Sequence, residues 1–233
     1  MSIAENLANL RRTMDQAAVR YGRAPGSVRL LAVSKTFGAE VVIDAADAGQ
    51  ASFGENYLQE ALDKQQAVHA LRPDLRLEWH FIGPIQSNKT RPIAEHFAWV
   101  HALDRGKIAR RLSEQRPASL PPLNICLQVN VSGEASKSGV APPEVLALAQ
   151  AVATLPGLRL RGLMAIPEPA NDFESQRQPF ALLRTLQQQL TEAGIPTDTL
   201  SMGMSADMDA AIAEGATIVR IGTAIFGKRD YAK

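Results

Sequence analysis

The stretch Val28-Arg-Leu-Leu-Ala-Val-Ser-Lys-Thr-Phe-Gly-Ala-Glu-Val-Val-Ile-Asp-Ala-Ala-Asp-Ala-Gly-Gln-Ala-Ser-Phe-Gly54 holds one complete structural repeat. Residues 28–33 form an apolar run of strand length. Residues 39–48 then carry apolar side chains at helical spacing and stop at Gly49, and a second short β-rich run occupies 51–54. Strand, helix, strand in that order demands parallel strands with a crossover helix.

The rhythm continues to the end of the chain. Further strand patterns lie at 77–82, 99–103, 124–131, 158–164, 199–203 and 217–221, giving eight in all. Helical patterns fill 57–71, 87–97, 105–115, 143–154, 173–193 and 206–214, several closed by Gly or Pro. Eight repeats in about 200 residues fit a closed (β/α)8 TIM barrel better than an open doubly wound sheet. An extra amphipathic helix leads the chain, with Ile3, Leu7, Leu10 and Met14 on one face and a stop near Gly22. No linker or low-complexity segment divides the chain, so residues 1–233 read as one α/β domain.

Composition narrows the function. The chain is 45% hydrophobic and 21% charged, which suits one large buried core. Twenty-five basic against 24 acidic residues leave a net charge of +1, so no global field gathers nucleic acid or a membrane surface. The N-terminus carries charge where a signal peptide needs an apolar run, and no later segment offers about 18 uncharged apolar residues. A cytoplasmic protein is expected. The single cysteine, Cys126, lies in an apolar run and reads as a small buried hydrophobe. No histidine pair has metal-binding spacing with a third ligand, so no metal is expected.

In a barrel of this kind the site lies at the C-terminal ends of the strands. The first strand delivers Lys35 there, and a partly desolvated amine in that place can attack a carbonyl. The last two strands deliver Ser201-Met-Gly-Met204-Ser205 and Arg220-Ile-Gly222-Thr223. Their glycines and hydroxyls suit an anion, since these loops are the usual phosphate site of the fold. Ser205 is expected to cap a helix beginning near Ala206. Lysine plus phosphate pocket points to a phosphate-bearing aldehyde held as a Schiff base. Taken singly, each of these residues has a plainer reading: a solvated lysine, helix-capping serines, turn glycines, core-filling Met202, Met204 and Met208. Their joint placement is what favours a ligand. Arg11-Arg12, Arg110-Arg111 and Lys228-Arg229 read as solvated charge.

These motifs, with Phe-Gly-Glu-Asn56-Tyr, Trp-His80-Phe-Ile-Gly-Pro-Ile-Gln-Ser-Asn-Lys89, Gln-Val-Asn130 and Gly-Leu-Met164-Ala-Ile-Pro, resemble those of the pyridoxal 5′-phosphate homeostasis proteins over essentially the whole chain. The resemblance implies a fold-type III barrel like that of alanine racemase, with pyridoxal 5′-phosphate as cofactor. It implies Lys35 as the amine that holds the cofactor aldehyde. It makes Ser201, Ser205, Gly222 and Thr223 the phosphate cradle and Arg220 the partner of the pyridine nitrogen. Asn56, Met164 and Met204 would line the ring. One departure is Phe37, where relatives often carry another lysine. Lys137 matches a family position and is a candidate second amine for transfer.

The resemblance further implies a carrier that maintains intracellular vitamin B6, with apo forms of pyridoxal phosphate enzymes as candidate recipients and without evident turnover. An arginine beside the ring nitrogen makes a weak electron sink. The racemases that share it take a second acid, a tyrosine, from an added β-domain that is not expected here. For the same reason a monomer is expected. Two enzyme readings stay open: an amino-acid racemase, decarboxylase or transaminase using His80 or Tyr57 as acid, and a phosphosugar isomerase or aldolase.

Overall fold

In the computed structural model, which describes residues 1–133 and 138–227, the strands close into a barrel in strict sequence order, every neighbouring pair parallel. The strands are β1 (Arg29–Val33), β2 (Ser52–Glu55), β3 (Glu78–Phe81), β4 (Trp99–Leu103), β5 (Leu123–Gln128), β6 (Leu158–Met164), β7 (Thr199–Ser201) and β8 (Ile218–Ile221). The helices are α1 (Ile3–Arg20), α2 (Ala39–Asp47), α3 (Leu58–Leu71), α4 (Thr90–His96), α5 (Gly106–Gln115), α6 (Val145–Ala153), α7 (Phe173–Glu192), α8 (Met208–Ala213) and α9 (Thr223–Phe226). Register between β1 and β8, with Leu31 opposite Arg220, shuts the ring.

Alternate residues of a strand face opposite sides, and the chain uses this to sort two cores. The larger one packs strands against helices and includes Ala32, Phe53, Val100 and Leu163. A smaller one, with Leu31, Val33, Ile82, Trp99, Cys126 and Met164, fills the barrel interior. Cys126 is fully buried there, and burial pushes its thiol up to about 12, so it is the inert hydrophobe expected.

The leading helix is integral to the ring. The helix after β8 has only four residues, and α1 packs against α8, α9 and α2, occupying the outer position that α9 is too short to fill. A capping box at Ser2 and Glu5 starts α1. Arg11 then donates to the carbonyls of Ala48 and Gly49 at the end of α2, so this arginine is a helix-terminus clasp rather than solvated charge. Among the described residues no helix is long and apolar enough to cross a membrane.

Candidate functional site

The C-terminal strand ends surround a cavity of about 310 Å³, a size that suits a small ligand. Lys35 reaches it from β1, Asn56 from the loop after β2, and Arg220, Gly222 and Thr223 from β8 and the start of α9. Met204 and Ser205 come from the loop after β7, and Val33, Ile82 and Ile166 supply apolar wall.

Lys35 is aimed by a constrained turn. Thr36 has φ 70°, the only non-glycine left-handed residue among those described. A β-branched residue adopts that conformation at a cost of about 1–3 kcal/mol unless its surroundings hold it. Here a clamp holds it. The Thr36 N–H donates to Glu60 Oε1 at 2.6 Å, and Lys64 Nζ donates to that oxygen, to Glu55 Oε1 at 2.6 Å and to the Ser34 carbonyl at 2.7 Å. The Ser34 hydroxyl donates to Glu55 Oε1. Both residues flanking Lys35 are thereby tied to one buried ion pair. Burial pushes the Glu55 carboxyl up, while Lys64 and Ser34 work in the opposite direction.

Asn56 is placed by Gly83, where a Cβ would lie 2.3 Å from the Asn56 carbonyl oxygen. Only glycine lets the loops after β2 and β3 approach this closely. The buried Asn56 Oδ1 has no hydrogen-bond partner, so the cavity wall carries an unsatisfied acceptor. On the far side Gly203, at φ 99°, brings α8 so close that a Cβ would meet that of Ala211 at 2.6 Å. The chain then turns through Ser205, and Asp207 Oδ1 accepts from the Met204 N–H at 2.6 Å. Ser205 therefore does not cap α8. That helix starts at Met208, with Asp207 in the cap position.

Arg220 is 4% exposed and donates to Ser201 Oγ at 2.8 Å and to the Ala165 carbonyl at 2.9 Å. Burial pulls its pKa down to about 10, Asp207 opposing, so it stays cationic at neutral pH. Two of its five N–H donors are committed, leaving others for the cavity it lines.

Seven of the nine residues expected at the site thus line one cavity: Lys35, Asn56, Met204, Ser205, Arg220, Gly222 and Thr223. Met164 and Ser201 stand apart. Both are fully buried, Met164 in the barrel interior and Ser201 with its hydroxyl held between Arg220 and His101. His80, weighed as a possible acid, is also fully buried and bonded to His101 and Glu78. Tyr57 is exposed ahead of α3. Lys137 lies outside the described residues. The Ser34–Glu55–Lys64 clamp escaped the sequence reading because its partners are joined only by tertiary packing. Such a cavity can hold a compact ligand that bears an anion and an electrophilic carbon within reach of the Lys35 amine.

The family model for the alanine racemase N-terminal domain matches residues 2–230. A pyridoxal phosphate homeostasis protein of Pseudomonas aeruginosa is 64% identical over 230 residues, 99% of this chain and 97% of that protein. The structure of PipY from Synechococcus elongatus with pyridoxal phosphate bound superposes with a TM-score of 0.83 at 37% identity, covering 97% of this chain and 100% of that one. Alanine racemase from Corynebacterium glutamicum shares the fold, with a TM-score of 0.70 at 17% identity over 99% of this chain and 61% of that one.

Proposed function

Because the chain belongs with the pyridoxal phosphate homeostasis proteins, within the family of the alanine racemase N-terminal domain, we propose that it holds pyridoxal 5′-phosphate reversibly as a Schiff base on Lys35. It then acts as a cellular reservoir of that cofactor rather than as a catalyst. The observation that carries this reading is the convergence of Lys35, Asn56, Arg220 and the Ser205–Gly222–Thr223 rim on one cavity.

The cavity fits the group on its own terms. It offers a buried, partnerless Asn56 Oδ1, uncommitted guanidinium donors and apolar walls for a flat ring. The bound cofactor would supply an aldehyde. Lys35 Nζ would be the amine that holds the cofactor through that aldehyde, with release of water, and water or another amine would set it free again. Ser205, Thr223 and the backbone amides of Thr223 and Ala224 would hold the phosphate, since the Ile225 and Phe226 amides already donate to the Gly222 carbonyl. Arg220 would donate to the ring nitrogen and, being always protonated there, keep that nitrogen unprotonated. A ring so held withdraws electrons poorly, which disfavours chemistry at an amino-acid α-carbon.

Borohydride reduction followed by peptide mapping is expected to place the label on Lys35. Lys35→Ala is expected to lose both the label and the yellow absorbance; undiminished colour in that variant would overturn the assignment. Incubation of the loaded protein with each amino acid in deuterated water should give negligible exchange at Cα, and robust exchange would replace the reservoir with an enzyme.

A further inference from the structure

Six side chains cross the barrel interior in one unbroken line of hydrogen bonds. Arg220 donates to Ser201 Oγ at 2.8 Å, and that oxygen lies 2.7 Å from His101 Nδ1. His101 Nε2 is 2.9 Å from His80 Nδ1, and His80 Nε2 is 2.7 Å from Glu78 Oε1. The same Glu78 oxygen accepts from Arg29. Glu78 and Arg29 open β3 and β1, so the line runs from the mouth opposite the cavity to the cavity floor. Trp99 stacks on His80 with ring centroids 5.2 Å apart, and the Arg161 guanidinium lies 4.6 Å over Trp99.

The proton order is fixed from the carboxylate end. An ionised carboxylate only accepts, so neutral His80 carries its proton on Nε2 and presents Nδ1 as acceptor. His101 must then donate through Nε2, and its Nδ1 accepts from the Ser201 hydroxyl. The Ser201 oxygen is left to accept from Arg220. Every donor points toward Glu78, and the bonds polarise one another in the same sense.

We propose that Glu78, His80 and His101 are positioning residues for Arg220, fixing the guanidinium through Ser201 and adding, from the opposite mouth of the barrel, to the counter-charge that Asp207 supplies. Among the described residues no carboxylate touches Arg220, Asp207 acting on it without direct contact, so the relayed charge adds to its compensation. Neutral rings are consistent with the chemistry around them. Burial pushes His80 down to about 4, Glu78 opposing, and pushes His101 well below the usual range. Burial would raise Glu78, but His80 and Arg29 outweigh it and hold the carboxyl at about 2.

The first test needs no ligand and no variant. Histidine side-chain 15N spectra of the wild-type chain should show both rings as the Nε2–H tautomer and neutral from pH 8 to pH 5. A proton on Nδ1 of either ring, or titration of either ring above pH 6, would overturn the relay. The second test rests on the functional reading above and is a double-mutant cycle on pyridoxal phosphate affinity. Glu78→Gln, which keeps an acceptor but removes the charge, and Ser201→Ala should each weaken binding by about 3- to 10-fold. Because they act on one line, the double variant should lose no more than the worse single one, whereas independent sites would add. Additive losses, or no loss from Glu78→Gln, would sink the proposal. A wild-type chain that binds no pyridoxal phosphate would refute the functional reading and leave the nitrogen spectra to decide the relay.

Discussion

Thr36 concentrates the site's strain in one residue. Its left-handed backbone turns the chain immediately after Lys35, and it persists because Glu60 and Lys64 hold the segment. Thr36→Gly removes the Cβ conflict but adds chain entropy to the unfolded state, so a gain of up to about 1 kcal/mol in urea unfolding is expected. A loss instead would mean that the threonine side chain, rather than the clamp, sets the turn. The lysine itself was legible in the sequence because a charge closing an apolar strand is conspicuous. The strain beside it was not, since nothing in Ser-Lys-Thr-Phe specifies a positive φ.

At the level of elements, β1, β2 and α3 share one buried ion pair. Lys64 and Glu55 are 3% and 0% exposed, so removing one partner strands the other charge out of water. Lys64→Met is expected to cost about 3–5 kcal/mol in chemical denaturation, because breaking a buried pair is far more costly than forming it is rewarding. A loss below 1 kcal/mol would show that water reaches Glu55. Gly83→Ala tests the neighbouring contact: the added methyl would clash with the Asn56 backbone, so it should displace that loop, weaken pyridoxal phosphate binding by about tenfold, the equivalent of about 1.4 kcal/mol, and lower the unfolding midpoint as well. Strands and helices were largely readable from apolar runs and glycine stops, with β4 and β6 recovered to the residue. The misplaced cap at Ser205 arose because Asp207, two residues later, competes for the same role. The interior line from Glu78 to Arg220 was invisible for another reason. Apart from Glu78 and His80, which share β3, each member is a single polar residue on a different strand, and only the register of the closed sheet sets them end to end.

For the molecule as a whole, the buried imidazoles make stability depend on pH. In the unfolded chain a histidine titrates near 6.5, whereas in the fold His80 and His101 stay neutral well below that. The unfolded state therefore binds more protons as pH falls through 6.5, and stability is lost, by about 2 kcal/mol per histidine between pH 7 and pH 5. Glu78, held at about 2, adds to the loss only below about pH 4.5; Glu55, whose carboxyl is pushed up, acts in the opposite sense. Urea titrations at pH 7 and pH 5 should show the decline, and a flat profile would mean that the rings are charged inside the barrel. The closure of the outer ring carries a consequence for synthesis. Asn6 of α1 bonds to the Ile225 carbonyl, 219 positions away, and Arg20 pairs with Asp209. Helix α1 can rest early against α2, but its seat on α8 and α9 exists only once residues some two hundred positions further along have been made, so closure of the outer ring is a late step of assembly.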